Sequence, residues 1–162
     1  MLKDYITEVP DFPKKGINYK DIQPLLADPF AFHQAVAEMK RITNFDVVGV
    51  DYWVGIESRG FIFAAAMADH CHAGLKLIRK AGKLPNNDLV SLEYGLEYGR
   101  DTVEMQKGSG TVIIVDDVFA TGGTMAAAKL LCELAGYEVA DTVCLLDIGI
   151  NKTHNTKCLI SY

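Results

Sequence analysis

No run of this 162-residue chain approaches the roughly 20 consecutive apolar positions that a bilayer-spanning helix requires. The opening Met1-Leu2-Lys3-Asp4-Tyr5 lacks the apolar stretch of a secretory signal. A basic excess is missing too. The formal net charge is -5, which argues against a general nucleic-acid or membrane-surface binder, because both partners select a surplus of Lys and Arg. Cys71, Cys132, Cys144 and Cys158 form no CxxC pair and no paired zinc spacing, so reduced thiols are expected. Together these absences point to a soluble, cytoplasmic protein. With no linker, low-complexity tract or domain-scale repeat, a single domain over 1–162 is expected, within the usual range of about 100–200 residues. Such a chain can bury roughly 70% of its unfolded surface without a disulfide or metal staple.

Strand and helix signals alternate along the chain. Leu2, Tyr5, Ile6 and Val9 recur at helical spacing before Pro10, and 11–18 is rich in turn formers. Asp28 and Pro29 suit the cap and first position of a helix whose face carries Phe32, Val36 and Met39. Residues 47–56 read as a strand, 61–71 as an alanine-rich helix and 75–78 as a short strand. Region 89–106 reads as an extended flap or hairpin. The run 111–115 is β-branched and apolar throughout, as a buried parallel strand is. A helix over 125–135, closed by Gly136, and a strand over 139–146 complete the pattern. The alternation predicts an α/β domain with a mainly parallel central sheet flanked by helices. Ligands then belong beyond the carboxyl ends of its strands.

The segment Val115-Asp116-Asp117-Val118-Phe119-Ala120-Thr121-Gly122-Gly123-Thr124 concentrates the chemistry. A buried strand runs into two carboxylates, a loop of small residues and a helix start. Gly122 and Gly123 let backbone amides approach a ligand. The helix N-terminus adds unpaired N–H groups and positive dipole, while Thr121 and Thr124 add hydroxyls. These groups suit a phosphate dianion. The Gly-Lys-Ser/Thr ending of a Walker loop is absent. Asp116 and Asp117 would repel by around 4 kcal/mol at 4 Å and an effective dielectric of 20, a cost that sugar hydroxyls or a bound Mg²⁺ would relieve.

This segment resembles the ribose-phosphate signature of the type I phosphoribosyltransferases, which use phosphoribosyl pyrophosphate (PRPP). The resemblance assigns Asp116 and Asp117 to ribose and Ala120, Thr121, Gly122, Gly123 and Thr124 to phosphate. It also implies that family's fold, with an N-terminal hood (1–28) and a flexible flap (86–110). Further segments are similar to those of the adenine phosphoribosyltransferases. Phe12-Pro13-Lys14-Lys15-Gly16-Ile17-Asn18-Tyr19-Lys20-Asp21-Ile22 resembles their hood, and Gly55-Ile56-Glu57-Ser58-Arg59-Gly60-Phe61 their pyrophosphate loop. Arg79-Lys80-Ala81-Gly82-Lys83-Leu84-Pro85 resembles their basic segment, and Leu96-Glu97-Tyr98-Gly99, followed by Glu104 and Gln106, their catalytic flap.

What the resemblance implies is specific. Glu57, Ser58, Arg59, Arg79, Lys80 and Lys83 would surround pyrophosphate, with a cis peptide at Glu57–Ser58. Adenine would lie between Tyr19 and Ile148, its edge read by backbone groups of Asn18 and Lys20. Glu97 would take the N9 proton with Tyr98 packing alongside, although the tandem Leu92-Glu93-Tyr94-Gly95 also offers Glu93. Lys20 and Asp147 stand where arginine and glutamate are common. The implied reaction joins PRPP and adenine to give AMP and pyrophosphate in purine salvage. Mg²⁺ would be carried mainly by PRPP rather than by a dedicated protein site, and the assembly would be a homodimer. The alternatives are an enzyme preferring hypoxanthine, guanine or xanthine, and a non-catalytic PRPP sensor. Asp69-His70-Cys71-His72 is set aside as a metal site because adjacent helical residues diverge. His33 and His154 read as surface residues, Tyr52 and Trp53 as packing or subunit-contact residues, and 151–162 as uninformative.

Overall fold

The computed structural model describes residues 1–85, 87–96 and 99–162, with the backbone alone at 47, 48 and 96. The N-terminal helix expected from the sequence is not formed. A 3-10 turn covers Leu2–Tyr5, Ile6 leaves it in extended geometry, and Thr7–Pro10 is a strand, β1. It pairs antiparallel with β2, Asn18–Asp21, placing Val9 opposite Tyr19. One weak helical period yields here to β-branched Thr7 and Val9 and a cross-strand partner.

A single turn, α1, spans Gln23–Ala27, and α2 follows at Pro29–Ile42. The Asp28 carboxylate accepts from the amides of Phe30 at 3.0 Å and Ala31 at 2.8 Å, a cap worth about 1 kcal/mol. The buried side of α2 is Ala31, Ala35, Val36 and Met39. The strand expected over 47–56 begins late. Phe45–Val48 is a helical turn, α3, ended by Gly49 at φ 65°, and β3 is Tyr52–Ile56. Then come α4 (Gly60–Cys71), β4 (Gly74–Lys80), β5 (Leu89–Leu96) and β6 (Gly99–Gln106). The chain closes with β7 (Gly110–Phe119), α5 (Gly123–Leu134), β8 (Tyr137–Asp147) and β9 (Lys157–Ser161).

Seven strands form one sheet in the order β5-β6-β4-β3-β7-β8-β9. The five from β4 to β9 run parallel, and the β5–β6 hairpin adds antiparallel at the β4 edge. Period-2 alternation fills both faces. Trp53, Ile113, Val115 and Val143 pack with α2 and α4, whereas Val54, Val112, Ile114 and Cys144 pack with α5. Each fully buried aliphatic side chain contributes about 1.5–3 kcal/mol. Trp53 is wholly buried and stacks on Phe45 at 5.5 Å, a packing role as the sequence suggested. β9 lies in the tail that reads as uninformative alone. Its pattern becomes meaningful only beside β8, where Cys158 stands opposite Cys144.

Candidate active site

The parallel strands deliver their following loops to one edge of the sheet. β7 continues through Asp116 and Asp117, so both carboxylates stand within the strand rather than just past it. Helix α4 approaches so closely that a Cβ on Gly60 would lie 2.7 Å from the Val115 carbonyl oxygen and 3.0 Å from Asp116 Oδ1. Glycine at 60 therefore seats the start of α4 against the acid pair. Asp117 is 5% exposed, and Arg59 Nε lies 2.7 Å from its Oδ2. Burial pushes the Asp116 carboxyl well above the usual range, and the charge of Asp117 adds to the rise. Burial raises Asp117 as well, while the Arg59 charge opposes it.

The Glu57–Ser58 peptide is cis, as the resemblance implied. Glu57 gathers the basic segment. Lys83 Nζ lies 2.7 Å from one of its carboxylate oxygens, Arg79 Nε 3.5 Å from the other, and the Lys80 amide donates at 2.8 Å. Burial works to raise the Glu57 carboxyl, but hydrogen bonds from Lys83 and the Lys80 amide, with the charges of Lys83 and Arg79, hold it below its usual range. Lys80 Nζ turns to Asp101 at 3.0 Å. Asp101 escaped the sequence reading because only the β4–β6 pairing brings it to Lys80.

A cavity of about 290 Å³ joins these parts, with Glu57, Ser58, Arg59, Lys80, Asp116, Asp117 and Thr124 in its wall. The hairpin contributes Tyr94 and Asp101. Beside it a cleft of about 60 Å³ is shaped by Asp116, Ala120, Thr121, Gly122 and Thr124. Gly122 caps α5 at φ 92°, and a Cβ there would meet the Phe119 ring at 2.8 Å. Arg79 and Lys83 flank the larger cavity through Glu57 without lining it.

The β1–β2 hairpin meets this site through Tyr19. Arg59 Nη1 donates to its hydroxyl at 2.6 Å, and the guanidinium carbon lies 5.2 Å from the ring centroid. The neighbouring side chains turn elsewhere. Asn18 donates to Glu8 at 2.6 Å; Lys20, 9% exposed, sits 2.9 Å from Glu8 and 3.9 Å from the Tyr162 ring centroid. The amide of Ile148 donates to the Phe119 carbonyl at 3.1 Å, which fixes it beside the start of the 120–124 loop. Glu97 and Tyr98 lie outside the described residues. Glu93 is exposed and accepts from Arg100 at 2.6 Å, on the strand face opposite Tyr94. His154 corrects the sequence reading. It is not a partnerless surface residue, because its side chain is 17% exposed, Nε2 lies 3.3 Å from Asp147 Oδ2, and the ring sits 4.0 Å from Phe119.

The sequence pattern described as phosphoribosyl transferase domain matches residues 27–161. An adenine phosphoribosyltransferase of Hydrogenovibrio crunogenus is 52% identical over 149 residues, spanning 91% of this chain and 85% of the relative. The crystal structure of adenine phosphoribosyltransferase from Rhodothermus marinus matches with TM-score 0.88 at 38% identity, over 99% of this chain and 96% of that one. The Saccharomyces cerevisiae enzyme, solved with D-2,5-dideoxy-2,5-imino-altritol 1,6-bisphosphate and adenine, matches with TM-score 0.87 at 34% identity, over 97% and 94%. The chain belongs to the phosphoribosyl transferase family, among the adenine phosphoribosyltransferases, and its fold is the type I phosphoribosyltransferase fold.

Proposed function

We propose that the chain transfers 5-phosphoribose from PRPP to adenine, giving AMP and pyrophosphate. The observation that carries this reading is the junction of the two clefts at Asp116 and Thr124. A small-residue cradle at a helix start opens directly onto a carboxylate pair and a cationic loop. The 5′-phosphate rests on Ala120, Thr121, Gly122, Gly123 and Thr124, where the first amides of α5 face it. The ribose hydroxyls donate to Asp116 and Asp117. Pyrophosphate collects the Ser58 and Arg59 backbone together with Arg59, Lys80, Arg79 and Lys83, and Glu57 keeps the basic segment in place.

The bond from ribose C1 to pyrophosphate oxygen breaks as the bond to adenine N9 forms, with inversion. Charge accumulates on the departing pyrophosphate and on an oxocarbenium-like ribose, so fixed cations and carboxylates lower the barrier by position. Glu97 takes the N9 proton and Tyr98 packs beside it. Glu93 is disfavoured, since Arg100 holds it on the face away from Tyr94. Tyr19 and Ile148 enclose the base, and backbone groups of Asn18 and Lys20 read its edge. That division of labour fits a Lys20 side chain committed to Glu8.

Magnesium fits this site. Asp116, Asp117 and Glu57 are hard oxygen donors at the cavity, and the buried Asp117 Oδ2 is faced by Arg59 Nε at 2.7 Å, a partner that an arriving cation would displace. The ion is expected to arrive on PRPP, and when bound it neutralises charge on the leaving group. We further propose a cytoplasmic homodimer. Among the described residues, no helix is long and apolar enough to cross a membrane.

The test is turnover with PRPP and Mg²⁺ against adenine, hypoxanthine, guanine and xanthine in parallel. AMP from adenine alone is expected. Preference for an oxopurine would overturn the base assignment, and PRPP binding with no product from any base would favour a sensor.

A further inference from the structure

Behind the phosphate loop lies a third cavity of about 560 Å³, bounded by α5, part of β8 and residues 151–156, with His154 in its wall. It shares Thr121, Gly122 and Gly123 with the phosphate cradle, but the proposed transfer gives no role to His154 or to the rest of its wall. At its edge Asp147, His154 and Cys158 bring one carboxylate oxygen, one imidazole nitrogen and one sulfur within 4.8 Å of one another. These residues come from the end of β8, the connecting loop and β9. The cluster therefore exists only because β9 docks on β8. A second thiol, Cys144, faces Cys158 across that pairing.

We propose that Asp147, His154 and Cys158 bind one borderline-soft divalent ion, for which Zn²⁺ is the probe. Sulfur, nitrogen and carboxylate oxygen together are a zinc-type donor set, and magnesium, which prefers oxygen alone, is excluded by it. Binding converts the Cys158 thiol to thiolate and releases its proton. With the Asp147 carboxylate and a neutral imidazole, the two negative ligands then balance the ion. Three protein ligands leave a fourth position for water or a small solute from the cavity, as at open zinc sites. The contact of His154 Nε2 with Asp147 Oδ2 favours a ligand-binding role over a simple Asp–His pair. At 3.3 Å it is long for a charged hydrogen bond, and it matches two ligands each about 2 Å from one tetrahedral ion.

The site is testable apart from catalysis. The chelator-treated full chain is titrated with Co²⁺ in excess Mg²⁺, and the thiolate-to-cobalt charge-transfer band is followed in the near ultraviolet. One equivalent should saturate the band, and Zn²⁺ should displace it. Cys158→Ser should abolish the band. His154→Gln and Asp147→Asn should weaken binding by more than the roughly 10–100-fold that loss of a merely supporting residue costs. Cys71→Ser and His70→Ala, at the exposed histidine-rich end of α4, should leave it intact. No band, or a band lost with Cys71 or His70 instead, overturns the proposal. If Cys158→Ser fails to fold, the His154 and Asp147 variants decide: unchanged Co²⁺ affinity in both refutes the site.

Discussion

Nε of Arg59 lies 2.7 Å from a carboxylate oxygen of Asp117. The same guanidinium donates to the Tyr19 hydroxyl at 2.6 Å. One side chain thus ties the loop after β3 to both the acid pair on β7 and the hood. Its importance for the base is expected to be separable from its importance for ribose. Replacing Tyr19 by Phe keeps the ring and should raise the adenine KM by less than about 10-fold, the equivalent of one hydrogen bond. Tyr19→Ala removes the ring and should raise it by more than that, with the PRPP KM little changed in either variant. Steady-state kinetics in both substrates provide the check; equal effects on the two KM values would contradict the assignment.

Asp116 should show a conflict between stability and binding. Its folded-state carboxyl is raised, through burial first and the charge of Asp117 second. A raised acid favours the folded state fully only below its unfolded value of about 3.9, and that contribution is lost as pH climbs through the raised folded value. Asp116→Asn removes the charge, so it should melt several degrees higher than the parent at neutral pH, with the gap closing as pH falls toward 4 (roughly the unfolded value). The same variant should bind PRPP about 10- to 100-fold more weakly, the equivalent of one charged hydrogen bond. Thermal melts across pH, with PRPP titrations beside them, test both halves.

For the flap, Glu97→Gln should lower kcat by roughly 10²–10⁴ while PRPP affinity stays near that of the parent. Glu93→Gln should be close to normal, because Glu93 is exposed and engaged by Arg100. Single-turnover rates distinguish the two. A severe defect at Glu93 with a mild one at Glu97 would reverse the assignment.

Gly60→Ala should be costly although the change is one methyl. The added carbon would press on the Val115 carbonyl and on Asp116 Oδ1. Overpacking of this kind costs about 1–3 kcal/mol, equivalent to a drop of some 2–12 °C in Tm. PRPP affinity should fall with it, because Asp116 is the atom group displaced. A variant that melts and binds normally would show that α4 can retreat.

The local elements around the candidate site are more legible in the sequence than the long-range architecture. The strand, acid pair, small-residue loop and helix over 110–134 are contiguous, and Asp28 announces α2 with a local cap. Such signals need only near neighbours. The hood hairpin was misread because its strand identity depends on pairing Thr7–Pro10 with Asn18–Asp21. β9 and the partners of His154 depend in the same way on β8. The ion pairs of Lys80 with Asp101 and Lys83 with Glu57 span separate strands and loops. No periodicity encodes them.

Around the cavity lined by Glu57 and Asp117, Arg59, Arg79, Lys80 and Lys83 each already face a carboxylate. A lone chloride or orthophosphate entering there would have to break about as many attractions as it makes. A molecule carrying a phosphate, a sugar diol and a chelated pyrophosphate together can exchange all of those partners in one event. The cleft thereby screens visitors by how many groups they present at once. Simple competition by cellular anions should accordingly be weak.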